Sequence, residues 1–165
     1  MEFTTDIFGA FDKKWALLTA GDRDSFNTMT ISWGALGTIW GRPTATVYVR
    51  TSRYTHDFMD KYDHFTVSFY PEEYRKTLTV LGTKSGRDMD KMRGNGLTPV
   101  EAGPSVSFAE AECTLVCKKM YMQSLELSRI PAEIAQPIYG KDAPHDMYLG
   151  EVVEILRSPG AAADD

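Results

Sequence analysis

The chain has 165 residues, a length that suits a single domain and suffices to bury a core. With 42% hydrophobic and 25% charged residues it reads as an ordinary globular protein, which excludes low-complexity and fibrous classes. A net charge of −5 and a pI near 5.2 argue against nucleic acid or an anionic membrane surface as partner, but leave room for a small anion held where basic groups converge.

From the N-terminus, "TDIFGAFDKKW" predicts a short helix capped by Thr5 or Asp6, and "WALLTAG" a buried strand ending at Gly21. "SFNTMTISWG" is the next strand. Period two sends Thr28, Thr30 and Ser32 to one side and Met29, Ile31 and Trp33 to the other. "ALGTIWGRP", with two glycines and a proline, reads as a loop. "TATVYVRT" is a strand with Ala45, Val47 and Val49 toward the core. "HFTVSFY" repeats the arrangement, opposing Phe65, Val67 and Phe69 to Thr66, Ser68 and Tyr70. Between these two, "SRYTHDFMDKY" predicts a helix with Ser52 placed to cap it. After Pro71, "EEYRKTLTVLG" predicts a second helix with Tyr74, Leu78 and Leu81 in a stripe and Gly82 as its stop. "TKSGRDMDKMRGNGLTP" is loop-rich, and "AEAECTLVCKKMYMQSLEL" and "DMYLGEVVEIL" predict long late strands. Many short strands and few helices, without repeating βαβ units, point to an antiparallel barrel with appended helices.

No apolar run approaches the roughly 20 residues of a membrane span, and "MEFTTDIFG" lacks the basic and apolar regions of a signal peptide. On a strand, Cys113 and Cys117 lie about 13 Å apart, too far for a disulfide. They are expected as buried thiols in a reducing cytoplasm. His56, His64 and His145 lack ligand spacing, so no metal site is expected.

The strongest chemical signal is "VRTSRYT". A strand delivers Arg50, and a helix begins with Ser52, Arg53 and Thr55 around its first turn. Unsatisfied N–H groups, a positive dipole end and guanidinium forks suit a phosphate, although a plain capped helix explains the same spacing. "GTKSG" is not a P-loop, because its first glycine closes a helix. It makes either a small anion nest or an exposed turn. The hydroxyl rows fit a solvated sheet face, but they carry few charges, and a ligand-facing sheet would be built the same way. No Gly-x-Gly-x-x-Gly, no Gly-x-Ser-x-Gly and no Cys/His pair is present.

Taken in order, "NTMTISWGALGTIWGRPTATVYVRTSRYTHDF", "GTKSGRDMDK" and "PHDMYLGEVVEI" resemble the flavin reductase-like family with the FMN-binding split-barrel fold. The likeness runs over about residues 10 to 156, within a domain set at 1–156 and followed by a tail, 157–165, expected to be disordered. It implies a mainly β protein: a six-stranded antiparallel split barrel of Greek-key character with a few short helices, assembled as a homodimer. The flavin-ring segment falls on Asn27, Thr28, Met29, Thr30, Ser32 and Trp33. The phosphate segment falls on Arg50, Ser52, Arg53 and Thr55, with Lys84, Ser85, Gly86 and Lys91 from the following loop. His145 falls beside the nicotinamide face and is the candidate catalytic residue. The implied cofactor is FMN and the implied co-substrate NAD(P)H, with flavin carrying the redox chemistry. Three activities stay open on this fold. They are an NAD(P)H:flavin oxidoreductase serving an oxygenase, a flavoredoxin-like carrier passing electrons to a protein acceptor, and a non-redox ligand-binding barrel.

Overall fold

The computed structural model describes residues 1–87, 90 and 94–159. Lys91 and the last residues of the tail therefore lie outside the described residues. Seven strands form one antiparallel sheet: β1 (Ala16–Gly21), β2 (Phe26–Ile31), β3 (Gly34–Ile39), β4 (Arg42–Arg50), β5 (His64–Phe69), β8 (Cys113–Ser124) and β9 (His145–Arg157). Their spatial order is β2-β1-β5-β8-β9-β4-β3. The two edge strands, β2 and β3, are joined by Ser32 and Trp33 alone. A sheet tied edge to edge by two residues cannot lie flat, so it curls into a barrel split between β2 and β3. The expected six strands become seven because "ALGTIWGRP" is a hairpin and not a loop. Ile39 pairs with Arg42, and Trp40 and Gly41 make the two-residue turn with φ of 51° and 69°. That is the twist a tight hairpin requires, with tryptophan standing where asparagine is usual.

The barrel interior is filled by the alternating apolar set: Leu18, Met29, Ile31, Val47, Val49, Phe65 and Val67, with Leu115 and Tyr148 from the late strands. Helix α2 (Tyr54–Lys61) closes one end, with Thr55 and Met59 buried. Its N-cap is Arg53, without a side-chain capping bond, so Ser52 does not cap it as the spacing suggested. At the N-terminus, Asp6 accepts a hydrogen bond from the Gly9 amide at 3.1 Å and caps α1 (Ile7–Gly9), which continues as a π-helical turn (Ala10–Lys14).

A second core lies outside the barrel. Helix α3 (Arg75–Thr83), entered through a 3₁₀ turn (Glu72–Tyr74), packs Leu78 and Leu81 against Leu17. It runs one residue past Gly82, which allows close approach to β2, since a Cβ there would sit 3.2 Å from that of Thr30. A hairpin, β6 (Pro99–Ala102) and β7 (Ser105–Phe108), covers β5. The hydroxyl rows on β2 and β5 therefore face the protein itself. Thr28 bonds Thr19 at 2.8 Å and the Leu18 carbonyl at 3.1 Å, and Thr30 donates to the Leu78 carbonyl. Thr66 donates to the Val106 carbonyl at 2.6 Å, and Ser68 meets Ser107 at 3.3 Å. Each of these hydroxyls therefore finds its hydrogen-bond partner inside the protein. Cys113 and Cys117 are both free and buried on β8, and burial raises both thiols.

Candidate functional site

Strand β4 ends at Arg50, two residues of turn follow, and Arg53 opens α2. Arg50 donates to the Ala143 carbonyl at 2.7 Å and to that of Ile138 at 3.4 Å. Arg53 donates to the carbonyls of Gly82 at 2.9 Å and Leu81 at 3.5 Å, at the C-terminal end of α3. Both guanidiniums are half-buried, and among the described residues neither has a carboxylate within ion-pair distance. Burial first, and then the charge of Arg50, lower the Arg53 guanidinium from its ordinary value. Two uncompensated like charges in partial burial are unfavourable by themselves and favourable beside an anion. Each guanidinium carries five N–H donors, so the carbonyl contacts leave donors to spare.

The segment 84–87 folds over the same end of α2. Arg87 fastens it, donating to the Ser52 carbonyl at 2.9 Å and to Asp57 at 2.6 Å, with its guanidinium 5.1 Å from the Tyr54 ring centroid. Ser85 accepts from the Arg87 amide at 3.2 Å. Gly86 touches the barrel. A Cβ there would lie 2.5 Å from Asn27 Oδ1 and 2.8 Å from the Tyr54 ring, so a larger residue fits only if the loop or these side chains shift. Asn27 in turn donates to Thr55 Oγ1 at 2.7 Å, tying β2 to α2. Residues 27, 53, 55 and 84–86, far apart in the chain, are thus gathered at one end of α2, with Asn27 and Thr55 buried beneath the loop.

Along β2 the expected ring segment divides. Thr28 is fully buried with its hydroxyl engaged, and Met29 is a core residue, so these two have only backbone to offer a ligand. Backbone is what the position supplies, because β2 is an edge strand with one flank unpaired. Trp33, just beyond it, is 42% exposed and lies 5.0 Å, centroid to centroid, from His145.

His145 pairs with Arg50 across β9 and β4 and is buried. Its Nδ1 is 2.8 Å from the Tyr139 hydroxyl. Burial, reinforced by Arg50 and opposed by Asp146, lowers its pKa to about 4, so the ring is neutral at pH 7. Asp146 points to the opposite face of the strand and holds His56 Nε2 at 2.7 Å under α2. Burial works to raise that carboxyl, but the bond to His56 and neighbouring charges bring it below its ordinary value. Among the described residues no group of His, Cys, Asp and Glu is placed to hold a metal ion, and no helix is long and apolar enough to cross a membrane.

Two site residues escape the sequence reading, Arg87 and Tyr139. Arg87 follows the "KSG" turn directly, so its position was visible but its partner on α2 was not. Tyr139 ends α4 in "AEIAQPIY", six residues before His145, and nothing in that apolar spacing names its partner.

The model of the flavin reductase like domain matches residues 8–164. The chain belongs to the flavin reductase-like family. The FMN-binding protein of Thermus thermophilus, solved with bound 1-cyclohex-2-enone, superposes with a TM-score of 0.73 at 18% identity, covering 99% of this chain and 81% of that one. Flavoredoxin of Desulfovibrio vulgaris (Miyazaki F) gives 0.70 at 23% identity over 92% and 73%. The styrene monooxygenase flavin reductase of Pseudomonas putida S12 gives 0.65 at 16% identity over 89% and 80%. A sequence search of curated proteins finds no match. At these identities the superpositions establish the shared split-barrel fold, while the domain match establishes the family.

Proposed function

We propose that this flavin reductase-like protein binds FMN and accepts hydride from NAD(P)H onto it. The observation that carries the reading is the Arg50–Arg53 pair, which among the described residues has no carboxylate partner and stands at the N-terminus of α2 beside the Gly86 loop. That donor set suits a phosphate dianion: guanidinium forks, a helix N-terminus, and Lys84 and Ser85 at the rim. The unpaired flank of β2 offers amide and carbonyl groups that would hold the polar edge of a flavin ring, with Trp33 and His145 together nearby. When bound, flavin supplies the hydride-accepting chemistry. The chain's part is to bind, to orient and to exclude water, with the neutral His145 offering a hydrogen bond to the incoming nicotinamide. The proposed assembly is a homodimer. Its support is the exposed aromatic pair Trp40 and Tyr121, 61% and 40% accessible with ring centroids 6.3 Å apart, near exposed Ile39. The acceptor of the reduced flavin is an oxygenase or an electron-accepting protein, and the setting is the cytoplasm.

Anaerobic single-turnover reduction of FMN-loaded protein by NADH and by NADPH tests the reading. Rapid bleaching of the flavin absorbance is expected with at least one of them. Bound FMN that neither nucleotide reduces would leave the flavoredoxin-like electron carrier in place of the reductase. Failure to bind FMN would remove both.

A further inference from the structure

The chain between β8 and β9 makes an excursion that carries α4 (Ala132–Tyr139), none of whose residues is buried. A short helix without a buried stripe draws little stability from packing. Polar contacts clustered at its C-terminal end fasten it instead. Arg50 reaches out of the barrel to the carbonyls of Ile138 and Ala143, and its guanidinium carbon lies 5.5 Å from the Tyr139 ring centroid. The Thr51 amide donates to the Pro144 carbonyl at 3.0 Å. The Tyr139 hydroxyl then meets His145 Nδ1 at 2.8 Å, with the two rings edge to face at 5.5 Å.

This contact has two protonic forms. The phenol donates to a bare Nδ1, or an Nδ1–H donates to the phenol oxygen. An imidazole nitrogen is a much better acceptor than a phenol oxygen, and the positive charge of Arg50 beside the ring favours the phenol as donor. We infer that Tyr139 is a positioning residue: its hydroxyl donates to His145 Nδ1 and locks the imidazole as the Nε2–H tautomer, with Arg50 clamping the end of α4 that presents it. Nε2–H has no hydrogen-bond partner among the described residues and is therefore the ring's free donor, suited to an acceptor oxygen such as that of a carboxamide. The titratable and charged groups around His145 are Arg50 on β4, Tyr139 on α4 and Asp146 on β9, the last turned to the opposite face and paired with His56. Because the imidazole stays neutral near pH 7, Tyr139 governs which nitrogen carries the proton and not whether the ring is charged. The use of this donor toward nicotinamide rests on the proposed function, but the tautomer does not.

The test is long-range proton–nitrogen NMR of FMN-loaded protein labelled with ¹⁵N-histidine, with His145 assigned by comparison with His145→Gln. Wild type should show a single Nε2–H signature, unchanged between pH 6 and 8. Tyr139→Phe should shift His145 toward a mixture of tautomers, leave FMN affinity unchanged, and raise the KM for the reducing nucleotide roughly 3- to 10-fold, the scale of one neutral hydrogen bond. An Nδ1–H signature in wild type overturns the inference, and so does an unaltered signature in Tyr139→Phe. Where Tyr139→Phe does not fold, the wild-type signature decides alone. A protein that neither nucleotide reduces refutes the reductase reading, and the NMR result still judges the role of Tyr139.

Discussion

Arg53→Ala separates recognition of a phosphate from recognition of a flavin ring. In the native protein two of its N–H groups hold the carbonyls of Gly82 and Leu81, and the rest of the fork is available to an anion. Losing one charge-assisted hydrogen bond to the phosphate weakens FMN binding by about 1.5–3 kcal/mol, or roughly 10- to 150-fold. Riboflavin has the same ring and no phosphate, so its affinity should fall by no more than about threefold, the part due to loosening the end of α3. That loosening has its own readout: two backbone carbonyls exchange a guanidinium for water, at a cost of about 1 kcal/mol in unfolding free energy. Arg53→Lys should fall between wild type and alanine for FMN, because it keeps the charge and loses the fork. Flavin fluorescence titrations at one fixed ionic strength, for both flavins and all three proteins, measure the set. Equal losses of FMN and riboflavin in Arg53→Ala would show that the residue supports the fold or the ring, and the phosphate assignment would fail with it.

Three further outcomes follow from the same geometry. Gly86→Val crowds the 84–87 segment against Asn27 and Tyr54, so FMN affinity should drop roughly 5- to 150-fold, on the 1–3 kcal/mol scale of overpacking; an unchanged titration would show that the loop takes no part. Stability should fall as pH drops from about 6.5 to about 4, because the unfolded chain takes up a proton at His145 that the folded chain refuses. Over that window His145→Gln should flatten the decline by roughly 2–3 kcal/mol in urea unfolding, and parallel curves for the two proteins would contradict the burial of a neutral ring. Trp40→Glu places a charge on the exposed aromatic pair and should convert a sedimenting dimer to monomer; a dimer that survives it is built on another face.

The barrel was legible in the sequence because period two is a backbone property. Wherever Val47, Val49, Phe65 or Leu115 alternates, the residue enters the interior. The pattern does not reveal what covers the other face. Thr28, Thr30, Thr66 and Ser68 read equally as solvated or as ligand-facing; Thr28 turns out bonded to β1, and the other three meet α3 and the β6–β7 hairpin, elements distant in the chain. The seventh strand was hidden for a local reason. Its turn uses Trp40 at positive φ, a conformation that composition assigns to asparagine or glycine.

The site was legible to the extent that its residues announce their own chemistry. Arg50, Arg53 and the "KSG" turn read as anion-binding because guanidiniums and helix N-termini are anion-binding wherever they stand. Residues that work only through a partner leave no such mark. Tyr139 has a role because Arg50, nearly ninety positions earlier, holds the end of α4 at the height of His145. Arg50 also explains why one strand end serves two purposes. With five donors in one plane it fastens α4 through backbone carbonyls and still carries a charge that Arg53 feels, with no carboxylate beside it among the described residues. Any change at Arg50 therefore moves both anion affinity and the setting of His145, whereas a change at Arg53 reaches the anion and α3 alone. For that reason Arg53 is the cleaner probe of the phosphate, and Tyr139 the cleaner probe of the imidazole.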